Sequence, residues 1–373
     1  LAASGLNLGT YYAYAVDAAG NLSLVSTNSV VVEAGPTSVA FSADTGSSPT
    51  DFITQTAAQT ISGTLSENVQ AGDVVEISLD NGSTWTAAST TVGQNTYSLS
   101  GVTLTGSGTL QVHLVRNSVA SSPLIQAYVL DNTPPNAPAI SSVTDSVGSI
   151  TGTVASGGVT DDTDLTVRVS LSGTQAVAGD SVRLYDGASA LGTAVTLSAS
   201  DISNGFVDVQ TGALSDAAYA LSAKITDLAG NTSSAATAHN VTVDTSVPAA
   251  PAIASSALTN NATPTLSGTA LAGSTVTVTV GGATYTTTAT GGNWSINLAS
   301  ATPASGTLSL NANGSNPVSV TATNTAGTSS TPTTQSLVID TTAPNTPAIA
   351  SVTDGVGSIT GTVASGGVTD DTD

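Results

Sequence analysis

With 373 residues the chain has the length of two to four ordinary domains, each able to bury a core of its own. It carries 22 Asp and 3 Glu against 4 Lys plus Arg, a net charge of −21, so it has no basic patch for nucleic acid and no attraction to anionic membrane surfaces. Cysteine is absent, which excludes disulfides and thiolate metal sites, and no apolar run is long enough for membrane insertion.

Thr, Ser, Val and Gly dominate, while the residues that favour helix on exposed faces are scarce. An all-β chain of short strands and tight turns is the expectation. Repetition sets its organisation: Ser142–Asp164 returns as Ser351–Asp373, 209 residues later, with Ser146 against Gly355 the single change in 23 positions. Such duplication predicts small modules stacked on their neighbours rather than one large core.

Residues 1–36 read as the C-terminal remnant of a module, with strands over 9–16 and 26–33 and the turn Asp17–Asn21 between them. Residues 37–132 read as a complete unit, with strands over 59–65, 73–79, 94–100, 109–115 and 124–130. Asp80-Asn81-Gly82 is a hairpin signal, and Trp85 just beyond it is the expected core aromatic. Strands at this spacing fit one sandwich.

Residues 133–244 repeat the plan with a longer middle insert over 174–210, and the turn Asp227–Asn231 matches Asp17–Asn21 in type and position. Residues 245–340 form a plainer copy in which Asn324–Thr328 replaces the Asp-led turn and Asn260-Asn261 replaces the acidic cluster. Residues 341–373 open a further module and break off in mid-repeat, which reads as the edge of an excised fragment.

The run Asp227-Leu-Ala-Gly-Asn231, then Val241-Thr-Val-Asp244-Thr-Ser-Val-Pro248, together with Ser142–Asp164, resembles the bacterial Ig-like repeats of giant adhesins exported by type I secretion. The resemblance spans essentially the whole chain. It implies an elongated array of immunoglobulin-like β-sandwiches, a monomeric rod at the bacterial cell surface that projects an adhesive tip in cell adhesion and biofilm formation. It also implies calcium at the joints between adjacent repeats. Two places depart from the pattern: residues 34–38 lack the Val-Asp-Thr hinge, and Arg116–Ser121 stands where the Asp-led turn is expected. The joint before residue 37 should accordingly be free of metal.

In a sandwich of this kind the turn before the final strand faces the preceding module, while the first connection and the end of the final strand face the next one. The joint near residue 132 therefore gathers Asp44 and Asp51, the hinge Asp131, and Asp227 with Asn231. Calcium takes six to eight hard oxygens in flexible geometry, which suits this set better than it suits magnesium. The joint near residue 245 has Asp161, Asp162, Asp164 and Asp244, with Asp145 a further candidate, against only Asn324, and so predicts a weaker site. Asp340 would serve a third joint. Extracellular calcium sites work at dissociation constants of ~10⁻⁴–10⁻³ M, so the joints would fill outside the cell and stay loose inside it.

Catalysis is not expected. His113 and His239 lie in strand-like runs without an acid–nucleophile partner, and carboxylates that recur in turns are not a glycosidase pair. Asp in turns has a plain alternative role, capping its own backbone. Two function classes stay open: a spacer whose work is reach and stiffness, and a module whose face or loop binds carbohydrate or a host protein, marked by exposed aromatics.

Overall fold

The computed structural model describes residues 9–372; residues 1–8 and Asp373, the last acid of the second copy of the repeat, lie outside them. Alternation is what builds the strands. In Thr275–Val280 the valines point into the core at no more than 1% exposure and the threonines point outward. Each buried valine contributes about 1.5–3 kcal/mol. The chain forms two compact units divided between Thr245 and Ser246.

The first unit opens with an antiparallel pair, Gly9–Tyr12 against Ser29–Val32. Next comes a sandwich. One sheet runs in the order Ile53–Thr54, Leu124–Leu130, Gly108–Arg116, Val74–Ser78, Thr86–Ala87, and the other runs Pro36–Phe41, Ala58–Leu65, Thr96–Thr103, Ser89–Thr90. A second sandwich follows the same plan. One sheet orders Gly158–Thr160, His239–Val243, Ala217–Thr226, Ser181–Asp186, Ser189–Thr196; the other orders Gly152–Thr153, Ala139–Asp145, Thr166–Ser170, Phe206–Gln210.

In the second unit a third sandwich pairs Leu258–Thr259, Thr333–Asp340, Asn313–Thr323, Thr275–Val280, Ala283–Thr288 and Ser305–Gly306 against a small sheet of Ala252–Ile253, Thr265–Thr269 and Asn293–Asn297. Thr353–Asp354 and Gly361–Thr362, from the repeated segment, form a last short pair. In all three sandwiches a short early strand lies parallel to the final strand: Ile53 beside Val129, Val159 beside Thr242, Leu258 beside Val338. Everything else pairs antiparallel, as in immunoglobulin-like sandwiches.

Trp294 lies in the core at 2% exposure, its indole N–H donating to the Ala252 carbonyl. It lies against Gly268, where a Cβ would stand 2.8 Å from the indole nitrogen. Trp85 departs from expectation. It is half-buried outside the core, stacked on His113 at 3.8 Å with its N–H on the Gly82 carbonyl, because the hairpin turn carries it to the sheet's edge. The supposed long insert of the second sandwich is also ordered: Ser181–Asp186 and Ser189–Thr196 form a hairpin, and a single helix, Ala199–Asn204, begins at a Ser198 capping box.

Candidate functional site

The joint within the first unit is built by the turn before the last strand of the second sandwich. Asp227 Oδ1 accepts from Asn231 N at 2.8 Å, and Asp227 N donates to the Asn231 carbonyl at 3.0 Å, closing the turn on itself. The Asn231 amide nitrogen then donates both to Asp227 Oδ2 and to the backbone carbonyl of Asp131, each at 2.9 Å. With two acceptors facing it, the nitrogen rather than the oxygen of Asn231 must point at the hinge.

The first sandwich reaches the same turn with its first connection. Thr45 Oγ1 donates to the Ala229 carbonyl at 2.7 Å, and Ser47 N donates to the Leu228 carbonyl at 3.3 Å. Between them Gly46 adopts φ +100°, and a Cβ there would stand 1.9 Å from the Leu228 oxygen, so no other residue fits the approach. A cavity of about 300 Å³ opens at this joint, lined among others by Asp131, Pro135, Val177, Asp180 and Asp227.

Asp180, not among the metal candidates expected from the sequence, is the most constrained acid here. It is 2% exposed, its Oδ2 accepts from Val177 N at 2.9 Å, and its Oδ1 is buried without a hydrogen-bond partner. Burial pushes its carboxyl above the usual carboxylate range, and the charges of Asp227 and Asp131 push it further the same way. The Val177 and Leu228 N–H groups oppose that shift. A recurring triplet was the available signal: Ala-Gly-Asp at 71–73 and 178–180 and Ala-Gly-Ser at 272–274, each immediately before a strand.

The other candidates sort into groups. Asp44 Oδ2 caps Phe52 N at 2.9 Å while its Oδ1 is buried without a partner; burial, then Asp51, raises its pKa against the Phe52 hydrogen bond. Asp51 accepts from Ile53 N, and Asp131 Oδ1 from Thr133 N. Asp145, Asp162 and Asp164 are knit into their own sandwich: Thr160 Oγ1 donates to Asp145 at 2.6 Å, Ser146 donates twice to Asp162, and Gly212 N donates to Asp164. Asp161 packs beside Gly148, Asp244 N donates to the Thr160 carbonyl, and Asp340 is exposed and accepts from Thr342 N. Among the described residues no three acidic or histidine side chains stand together in a ready-made metal geometry.

In the second unit Asn324 does alone what Asp227 and Asn231 share. Its oxygen accepts from Ala326 N and Thr328 N and its nitrogen donates to the Ser246 carbonyl at 3.1 Å.

Tandem immunoglobulin-like sandwiches with hinge-capping turns are what the fold defines. The family model described as bacterial Ig-like domain matches residues 137–245 and again 252–341, more than half of the chain, and the chain belongs to that family. No curated protein matches it. Among solved structures it is similar to fibronectin(III)-like modules of Clostridium thermocellum CbhA, at 17% identity over 53% of this chain and 94% of that one, TM-score 0.35. It is also similar to a tetra-tandem repeat in the extending region of a large adhesion protein, at 20% identity over 89% of this chain and 81% of that one, TM-score 0.25. A Ca2+-stabilized adhesin with which an Antarctic bacterium binds ice is 21% identical over 89% of this chain and 81% of that one, TM-score 0.33. No helix of the described residues is long and apolar enough to cross a membrane.

Proposed function

We propose that the chain is a spacer segment of a large bacterial surface adhesin, and that calcium at the joint near residue 132 fixes its neighbouring sandwiches in place. One observation carries the calcium reading: a buried carboxylate oxygen of Asp180 without a partner, beside Asp227 and Asp131 and with no basic side chain to answer it. The four basic side chains are engaged elsewhere: Arg116 with Asp73, Arg168 with Asp208, Arg183 with the Gly192 carbonyl, Lys224 over Tyr185. Calcium favours hard oxygens in flexible geometry; the partnerless Oδ1 of Asp180 is one such oxygen, and the carboxylates of Asp227 and Asp131, which now accept from Asn231 and from Thr133 N, would join it only by giving up those hydrogen bonds. A bound cation would supply the charge that lets these acids converge.

Asp51 caps Ile53 N, and Asp44 caps Phe52 N with Oδ2 while its buried Oδ1, like that of Asp180, has no hydrogen-bond partner, so Asp44 stays a candidate oxygen for this joint. The capping bonds of Asp145, Asp162 and Asp164 favour turn chemistry for the acidic cluster. Export in the unfilled state by type I secretion, stiffening outside the cell and a role in biofilm follow as parts of the same proposal. The carbohydrate- or host-binding alternative would need exposed aromatics. Among the described residues the exposed rings are Tyr12 and Tyr14, and none belongs to the three sandwiches.

The test is small-angle scattering and thermal melting of the chain in chelator and in millimolar calcium. Calcium should raise the melting midpoint of the first unit and narrow its conformational spread. Identical curves in both conditions would leave a spacer without calcium.

A further inference from the structure

Three sandwiches present the same corner with three different charge arrangements. Val74 pairs with Val115, Ser181 with Thr226 and Thr275 with Thr323, so one step further on Asp73 stands across from Arg116, Asp180 from Asp227 and Ser274 from Asn324. The local backbone is the same in the first two: Gln70 N donates to Asp73 Oδ2 at 2.8 Å as Val177 N does to Asp180 Oδ2 at 2.9 Å. In all three the acid or serine N–H returns to the residue three earlier, Gln70, Val177 or Leu271.

The difference lies in what answers the acid. Asp73, its side chain 3% exposed, receives Arg116 Nη2 at 2.8 Å and Nε at 3.1 Å, a two-pronged pairing, while Arg116 Nη1 reaches Glu67 at 3.0 Å. Asp180 faces Asp227, and like charges directly opposite on a ladder destabilise it. Ser274 and Asn324 are neutral and need nothing. The hinge of the preceding segment approaches the first corner too: Ser122 N donates to Glu33 at 3.2 Å, and Glu33 and Ala34 line one cavity with Arg116.

We propose that Arg116 is a built-in cation, standing where the Asp180–Asp227 corner takes calcium, so that the end of the 37–132 sandwich near Glu33 is closed without metal. The chain thus carries a metal-indifferent corner and a metal-dependent one in adjacent sandwiches. For its comparison the inference rests on the calcium reading of the Asp180 corner, and its test separates the two.

Amide hydrogen exchange of the intact chain, in chelator and in calcium at about ten times the dissociation constant, reads both corners at once. Calcium should slow exchange at Val177, Asp180 and Asn231 about tenfold and leave Gln70 and Asp73 unchanged. In Arg116→Asp, and in the milder Arg116→Asn that leaves Asp73 and Glu67 unanswered, Gln70 and Asp73 should become calcium-responsive by a similar factor. Calcium slowing of Gln70 and Asp73 in the unaltered chain would overturn the proposal. So would calcium indifference of those amides in a folded Arg116→Asn. If the Arg116 variants respond while the Asp180 corner does not, the calcium reading of that corner falls and the role of Arg116 stands.

Discussion

Asp227 stands across from Asp180 at the head of the ladder between Ser181–Asp186 and Ala217–Thr226, one step beyond the Ser181–Thr226 pair. Two acids in that relation, one of them buried, repel each other, and although N–H groups of Asn231 and Val177 reach them no basic side chain does. The joint's hydrogen bonds to the hinge come from Asn231 and its packing from the Thr45–Ser47 loop.

Replacing Asp180 by Asn should therefore act in opposite directions in the two metal states. Without calcium, Asp180→Asn removes an unanswered buried charge while keeping an acceptor for Val177 N, and should stabilise the first unit by about 1 kcal/mol. With calcium, the rise in melting midpoint shown by the unaltered chain should be lost. Thermal melts in chelator and in calcium check both arms, and a full calcium shift in the variant contradicts the assignment.

The pH dependence follows from the direction of each shift. Asp180 and Asp44 have folded-state values above the unfolded 3.8, so the native chain holds their protons more tightly; in chelator its stability should fall as pH rises from there toward neutrality. Asp73, held down first by its Arg116 hydrogen bond, and Asp80, held down to about 2 by Thr84, act the other way: their contribution is lost as pH drops below 3.8. Metal-free stability therefore has two opposed limbs, one lost on acidification below 3.8 and one lost as pH rises above it, and calcium should remove the second. Denaturant midpoints across pH test this; metal-free stability that keeps climbing as pH rises above the unfolded carboxylate value is the contrary result.

Gly46→Ala should uncouple the two sandwiches of the first unit without unfolding either. Its methyl would meet the Leu228 carbonyl, displacing the Thr45 and Ser47 hydrogen bonds. Gly72→Ala is the control, since Gly72 also has a positive φ, +93°, but open space around it. The control should lose about 1 kcal/mol, and Gly46→Ala more, with the melt of the first unit splitting in two. A single unsplit transition for Gly46→Ala would show that the close approach does not couple the sandwiches.

The two tryptophans should separate cleanly in urea unfolding. Trp294→Ala empties a core position at 2% exposure and should cost about 3–5 kcal/mol. Trp85→Ala loses an edge stack on His113 and should cost about 1 kcal/mol. Equal losses would place Trp85 in the core after all.

Strand alternation such as Thr275–Val280, the hairpin glycines and the recurrence of Asp17–Asn21 at Asp227–Asn231 were legible because they are local. Trp85 misled because a ring one residue beyond a turn can face either the core or the edge, and only sheet width decides. The short helix Ala199–Asn204 was hidden because all of its residues after Ala199 (Ser, Asp, Ile, Ser, Asn) are weak helix formers, and its Ser198 capping box does the work that propensity does not. Asp180 escaped because its significance lies across the sheet.

Composition, the period-two patterns and the repeated segment were enough to determine an all-β chain of tandem modules with acidic turns, since each of those properties is set within a few residues of chain. Which acids meet was decided by the tertiary structure alone. Register places Asp73 opposite Arg116 and Asp180 opposite Asp227, and burial leaves one carboxylate oxygen of Asp180 unanswered. The energy of a charge depends on what faces it and how much water reaches it, and neither is written in the order of residues.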